Sequence, residues 1–158
     1  MKIAVTGHRP NKLGNEYSMD GPVSKRITSS LTDFVLSQKP EMLISGMALG
    51  VDLLFAKVAI EHRIPFTAAV PFIGQELRWP QCSRDRYAQI LSLASEVVVV
   101  CPGGYSAFKM QKRNEWMVDH CDLLIAVWDG TSGGTANCVQ YAQSTSKEIF
   151  RINPNHWR

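Results

Sequence analysis

The chain has 158 residues, 45% hydrophobic and 20% charged, with a net charge of +3, which suits one compact domain with one core and lends little support to a surface that coats nucleic acid. Its longest apolar runs, 96–100 and 123–128, fall far short of the roughly 20 residues of a membrane span, and the first residues enter a strand-like run without a secretory leader, so the expectation is a cytoplasmic protein that does not touch a membrane. Cys82, Cys101, Cys121 and Cys138 form no CxxC pair, which argues against a zinc site or a disulfide frame and for ordinary thiols.

The first predicted strand, 2–6, runs into Gly7-His8-Arg9-Pro10. Gly7 permits a tight turn, and His8 and Arg9 put a titratable and a permanently cationic group at the strand end, where they meet a ligand or simply solvate the loop. In the helix that follows, Val23, Ile27, Leu31, Phe34 and Val35 fall on one stripe, Pro22 suits its first turn, and Asp20 or Gly21 lies near its cap. A second strand at 42–45 leads to Ser45-Gly46-Met47-Ala48-Leu49-Gly50-Val51-Asp52, where Gly46 and Gly50 bracket a turn into a helix over 52–62. Asp52 either complements that helix's positive end or meets a ligand hydroxyl.

The third strand, 66–71, is followed by the loop from Pro71 to Gln75 and a helix over 83–94. The fourth, 96–101, opens into Cys101–Tyr105 and a helix over 107–119 that carries Lys112-Arg113-Asn114-Glu115-Trp116-Met117. Turned inward, Arg113 is a phosphate clamp; turned outward, it pairs with a surface carboxylate. The fifth strand, 122–128, ends in Asp129-Gly130-Thr131-Ser132-Gly133-Gly134-Thr135. Three glycines in five residues beside two hydroxyl side chains, at the start of a helix over 135–144 with Thr135 as its cap, favour an anion site over a plain turn. The sixth strand is 148–152.

Strands apolar on both faces and separated by helices predict an α/β fold: a Rossmann-like, doubly wound three-layer sandwich with a mainly parallel sheet, a single domain over 1–158. Right-handed crossovers then bring every informative loop to the carboxyl edge of the sheet, where such folds bind ligands. Neither GxGxxG nor GxxxxGK[ST] occurs, so a dehydrogenase or ATPase reading is weak.

The arginine helix, the run Cys121-Asp122-Leu123-Leu124-Ile125-Ala126-Val127 and Gly133-Gly134-Thr135 resemble the LOG nucleotide phosphoribohydrolases. Thr6-Gly7-His8-Arg9-Pro10, the Ser45–Asp52 segment and Pro71-Phe72 with Gln75 and Trp79 resemble the YpsA-like branch of the same superfamily, SLOG, which unites LOG-like and DprA-like Rossmann domains. The match in order runs over nearly the whole chain. It implies a nucleotide-derived ligand held by Gly7, His8, Arg9, Ser45, Gly46, Gly50, Asp52, Arg113, Asn114, Asp129, Gly130, Gly133, Gly134 and Thr135, with neither metal nor cofactor. Since related domains pair through helices, it also implies a homodimer.

Catalysis is less directly implied. LOG enzymes carry a glutamate immediately after the glycine loop, whereas here Thr135 is followed by Ala136, Asn137, Cys138 and Val139. Cleaving an N-glycosidic bond requires a carboxylate near the developing positive charge; Glu115, Asp119, Asp129 or Asp52 would have to stand in, and the enzyme reading takes Glu115 or Asp129. The sequence thus points first to a nucleotide-binding sensor, sequestering or regulatory module. An N-glycosidase acting on a nucleoside monophosphate is the alternative, and single-stranded nucleic-acid binding is the second alternative. For the last, Ser45–Asp52 resembles the DprA segment SGxARGID with Leu49 in place of its arginine, and Trp79, Tyr87, Tyr105 and Trp116 are the stacking candidates.

Overall fold

Each apolar run forms a strand of one sheet in the computed structural model, which describes residues 1–156. The strands are β1 (Lys2–Gly7), β2 (Met42–Ser45), β3 (Phe66–Val70), β4 (Glu96–Val99), β5 (Leu123–Val127) and β6 (Glu148–Ile152). The helices are α1 (Pro22–Gln38), α2 (Val51–Glu61), α3 (Gln81–Ser92), α4 (Ala107–His120) and α5 (Gly134–Ser144), with a short 3-10 turn at Pro10–Lys12 that the apolar pattern does not foretell. All five strand pairs are parallel, in the order β4-β3-β2-β1-β5-β6. The fold is therefore the doubly wound α/β sandwich, with its order reversing between β1 and β5.

Right-handed crossovers place α1, α2 and α3 on one face and α4 and α5 on the other. Two cores follow. Ile3, Val5, Leu43, Ala68, Leu123 and Ile125 pack under α1–α3 with Ile27, Leu31, Leu54 and Phe55, whereas Ala4, Ile44, Ala69 and Leu124 pack under α4–α5 with Met117, Val118 and Cys138. The alternation along β1 and β5 explains why those runs are apolar throughout. The terminal strands depart from that expectation: Val97 and Val99 on β4 remain 47% and 43% exposed, because an end strand is only partly roofed by helices.

The cap of α1 falls at Gly21, one of the two residues expected there, whereas the starts of α2 and α5 differ from expectation. α1 is capped by Gly21 without a side-chain bond; its free amides go to Glu16, whose carboxylate accepts from Val23 N–H at 3.4 Å and from Ser24 N–H at 2.6 Å. α5 begins at Gly134 with Gly133 at the cap, so Thr135 lies inside the first turn. α2 begins one residue earlier than predicted, capped by Gly50. There φ is +90°, and a Cβ would sit 2.5 Å from the His8 carbonyl. Glycine is needed for both reasons, and its small size lets Val51 N–H donate to that carbonyl at 3.3 Å, locking the β1 loop onto α2.

No helix among the described residues is long and apolar enough to cross a membrane.

Candidate functional site

A cavity of about 370 Å³ opens at the carboxyl ends of β1 and β5, where strand order reverses. Its size lies at the lower end of small-molecule sites. The β1 end and its 3-10 turn supply Thr6, Gly7, His8, Arg9, Asn11 and Lys12; the approach to α2 supplies Ala48 and Asp52; α4 supplies Met110, Arg113 and Asn114; and the start of α5 supplies Ser132, Gly133, Gly134 and Thr135. Three cations and one carboxylate therefore face one hollow, beside a helix start that attracts anions.

Arg113 is the centre of this arrangement. It points inward from α4 with only 4% of its surface exposed; its Nε donates to Asn114 Oδ1 at 2.9 Å and its Nη1 to the Gly46 carbonyl at 2.5 Å. Such closeness depends on glycine. A Cβ at position 46 would lie 2.7 Å from Arg113 Nη1 and 2.8 Å from Asp52 Oδ2. Asp52, also buried, does not bond the free amides of its own helix; its Oδ2 accepts from Ala48 N–H at 3.2 Å, and Ser45 Oγ donates to its main-chain carbonyl at 2.7 Å. Burial raises the Asp52 carboxyl above its ordinary range, opposed by the charge of Arg113, the Ala48 amide and the charge of Arg9. Burial also lowers Arg113, and the charge of Asp52 opposes that shift. A guanidinium keeps its proton in either case, so Arg113 is a fixed cation facing a carboxyl poised nearer neutrality than most.

The β5 loop is braced from below. Asp129 Oδ1 accepts from Thr131 N–H at 2.9 Å and Thr131 Oγ1–H at 2.6 Å, and lies 2.8 Å from His8 Nε2. Those two bonds from Thr131, with a smaller contribution from His8, hold its carboxyl well below the usual range. His8 Nε2 also sits 3.1 Å from Asp129 N–H. Unprotonated, it accepts from that amide; protonated, it donates to the carboxylate. Above the loop, Lys12 Nζ donates to Thr131 Oγ1 at 2.9 Å and to the Ser132 carbonyl at 2.6 Å, tying the β1 turn to the glycine loop.

The predicted site residues divide accordingly. Gly7, His8, Arg9, Asp52, Arg113, Asn114, Gly133, Gly134 and Thr135 line the cavity, while Ser45, Gly46, Gly50, Asp129 and Gly130 lie outside its lining, the first four bracing it from behind. Glu115 lies outside as well, on the far side of α4, paired with Lys112 at 3.7 Å. Sequence reasoning missed Thr6, Asn11, Lys12, Ala48, Met110 and Ser132. For Asn11 and Lys12 a signal existed, since a polar pair directly after Arg9-Pro10 continues the ligand-edge loop; the tight 3-10 turn that folds them back over β5 had none.

The stacking candidates are mostly spent on packing: Trp79 meets Tyr87 edge-on at 5.3 Å, and Trp116 stacks on His120 at 4.0 Å. Tyr105 meets Phe72 edge-on at 5.9 Å yet stays 73% exposed. All four cysteines are free; Cys121 and Cys138 are buried, their thiols pushed up by burial to about 11 and about 12. Among the described residues no group of three or more His, Cys, Asp or Glu could hold a metal ion.

Comparison with known proteins bears on the family and the fold. The model of the YspA SLOG family matches residues 3–156. The uncharacterized SPbeta prophage-derived protein YoqJ of Bacillus subtilis is 30% identical over 149 residues, covering 82% of this chain and 86% of its own. A UPF0398 protein of Bacillus cereus is 31% identical, covering 98% of this chain and 86% of its own. Among solved structures, the DNA processing protein A (DprA) of Streptococcus pneumoniae aligns with a TM-score of 0.69 at 19% identity, over 96% of this chain and 50% of that one. DprA of Helicobacter pylori, whose structure concerns single-stranded DNA binding, aligns at 0.68, also at 19% identity, over 96% and 64%. The molybdenum cofactor carrier protein of Chlamydomonas reinhardtii aligns at 0.60 and 17% identity, over 95% and 74%. This chain thus spans half to two thirds of the length of the two DprA chains, and those likenesses establish the shared fold.

Proposed function

The chain belongs to the YspA SLOG family, and from that premise we propose that it binds a phosphorylated, nucleotide-derived small molecule as a sensor, sequestering or regulatory module. The observation that carries this reading is Arg113: a cation buried at the cavity floor, with Nε and Nη1 engaged and Nη2 free of any hydrogen bond among the described residues. A buried guanidinium with an unused fork edge is completed by phosphate or carboxylate oxygens. In this reading the phosphate lies over Gly133, Gly134 and Thr135, where α5 offers unpaired amides. Lys12 and Arg9 supply the remaining charge, and Asp52 takes a sugar hydroxyl.

Native mass spectrometry of freshly purified protein reads a retained ligand and the subunit count together, which also tests the homodimer. Calorimetry with a panel of nucleoside 5′-monophosphates then follows, with Arg113→Lys and Gly134→Val expected to weaken binding at least about 10-fold, the worth of one charge-assisted hydrogen bond. Unchanged affinity in both variants removes the proposed pocket.

One observation favours a second reading. Asp52 is the only carboxylate lining the cavity among the described residues, and burial raises it toward the range of an acid catalyst. As an N-glycosidase the protein would use Asp52 in place of Glu115 or Asp129. Free base released from the same panel, and lost in Asp52→Asn, supports hydrolysis; intact nucleotide after prolonged incubation supports binding alone. Tight oligonucleotide binding with a steep salt dependence would instead favour a nucleic-acid ligand.

A further inference from the structure

Gln75 belongs to the loop between β3 and α3 and does not line the cavity, yet it is 7% exposed and buried against the Ser45–Asp52 segment. Its Nε2 donates to the Gly46 carbonyl at 3.3 Å and to Tyr87 Oη at 3.5 Å. The Gly46 carbonyl is the same oxygen that accepts Arg113 Nη1. Gln75 Oε1, by contrast, is buried without any partner. An apolar side chain of equal length would avoid that unpaired oxygen, so a gain in stability does not explain the amide at this position.

The neighbouring backbone shows what the amide does. Met47, fully buried, has a left-handed φ of +61°, an uphill conformation for a residue with a side chain. The Gly46–Met47 peptide is held on both sides: its N–H donates to Ser45 Oγ at 3.2 Å, and its carbonyl accepts from Arg113 and Gln75. Rotation of that peptide would relieve Met47 and turn the carbonyl away from the guanidinium. The loop that carries Gln75 is anchored at its ends by buried Phe72 and by Trp79 on Tyr87, while Ile73 and Leu77 stand 78% and 63% exposed.

We propose that Gln75 is a positioning residue: through the shared Gly46 carbonyl it holds Arg113 in the orientation that leaves Nη2 open to the ligand, making the loop after β3 a working part of a site it does not touch. The proposal rests on the reading of the cavity as a phosphate-binding site.

Its test is Gln75→Met, which keeps length and volume but removes the donor. Three results are expected. Tm stays level or rises, because the unpaired Oε1 is gone. The Arg113 Nε–Hε resonance of the ligand-free protein shifts and exchanges faster with water. Affinity for whichever nucleoside 5′-monophosphate binds the wild type falls roughly 3- to 10-fold, the worth of one neutral hydrogen bond, with no further fall when Gln75→Met is added to Arg113→Lys. Tyr87→Phe, which removes the other partner of Nε2, is expected to move the same resonance less and in the same direction, and it decides the matter if Gln75→Met does not fold. An unmoved Arg113 resonance, or an equal fold-loss in the Arg113→Lys background, overturns the role of Gln75. If the wild type binds nothing in the panel, the reading of the cavity fails, while the resonance still decides whether Gln75 sets the guanidinium.

Discussion

On the proposed reading of the cavity, replacing Gly134 by alanine separates ligand binding from folding. Gly134 is the first residue of α5 and lines the cavity, and a Cβ built there meets nothing within 4 Å. Its φ is negative, so alanine fits the backbone without strain. The substitution should therefore stabilise the protein by about 0.4–1 kcal/mol, chiefly by narrowing the unfolded ensemble, which raises Tm by roughly 1–4 °C in a chain of this size. The same methyl would enter the cavity at the start of α5, where the proposed reading puts the phosphate. Loss of one charge-assisted bond there costs about 1.5–3 kcal/mol, or roughly 10- to 100-fold in affinity. Differential scanning calorimetry and titration calorimetry on the same preparation measure the two effects. A variant that is more stable but binds as well as the wild type would show that the ligand's anion does not sit at α5. A drop in Tm would refute the open space itself.

Gly46→Ala should do the opposite, because its Cβ meets Arg113 and Asp52 at 2.7–2.8 Å; overpacking of this kind costs about 1–3 kcal/mol, and thermal melts should show stability and binding falling together. Phe55→Ala, at a fully buried position of α2, is expected to cost about 3–5 kcal/mol in urea unfolding without a specific effect on the cavity. Asp129→Asn tests the brace under the glycine loop. Because Thr131 and His8 hold the Asp129 carboxyl below its unfolded value, its contribution is present above the unfolded pKa of about 4 and is lost as pH falls toward the folded pKa. Wild type should thus exceed the variant in Tm at neutral pH, with the gap closing below about pH 4, as read by circular dichroism. A gap independent of pH would mean that the charge of Asp129 is not what braces the loop.

Much of the site was legible because it is local. Gly133 and Gly134 precede a helix, and Gly7, His8 and Arg9 end a strand; in a parallel doubly wound sheet, chain order alone brings such loops to one edge. Inward and outward readings of Arg113 were equally open in the sequence. Packing of α4 across β1 and β3 chose the inward one. Asp129 and Glu115, chosen as stand-in carboxylates for their nearness to the motifs, turned out to hold a loop and a surface lysine. Asp52 reaches the cavity because Gly46 lets the backbone approach, an effect of three-dimensional clearance with no mark in spacing.

What the sequence by itself determined is the alternation of apolar runs and helices, and with it the parallel sheet and the edge that carries the glycine loops, since period and burial follow from chain-local chemistry. The family followed from the same order of motifs. Only the tertiary structure decided which side chains share the hollow: Lys12 folding back over the β5 loop, Asp52 facing Arg113, and Gln75 and Arg113 meeting on one carbonyl. Those contacts join residues about 30 to 120 positions apart, and their selection depends on which buried polar groups find partners once the helices have docked.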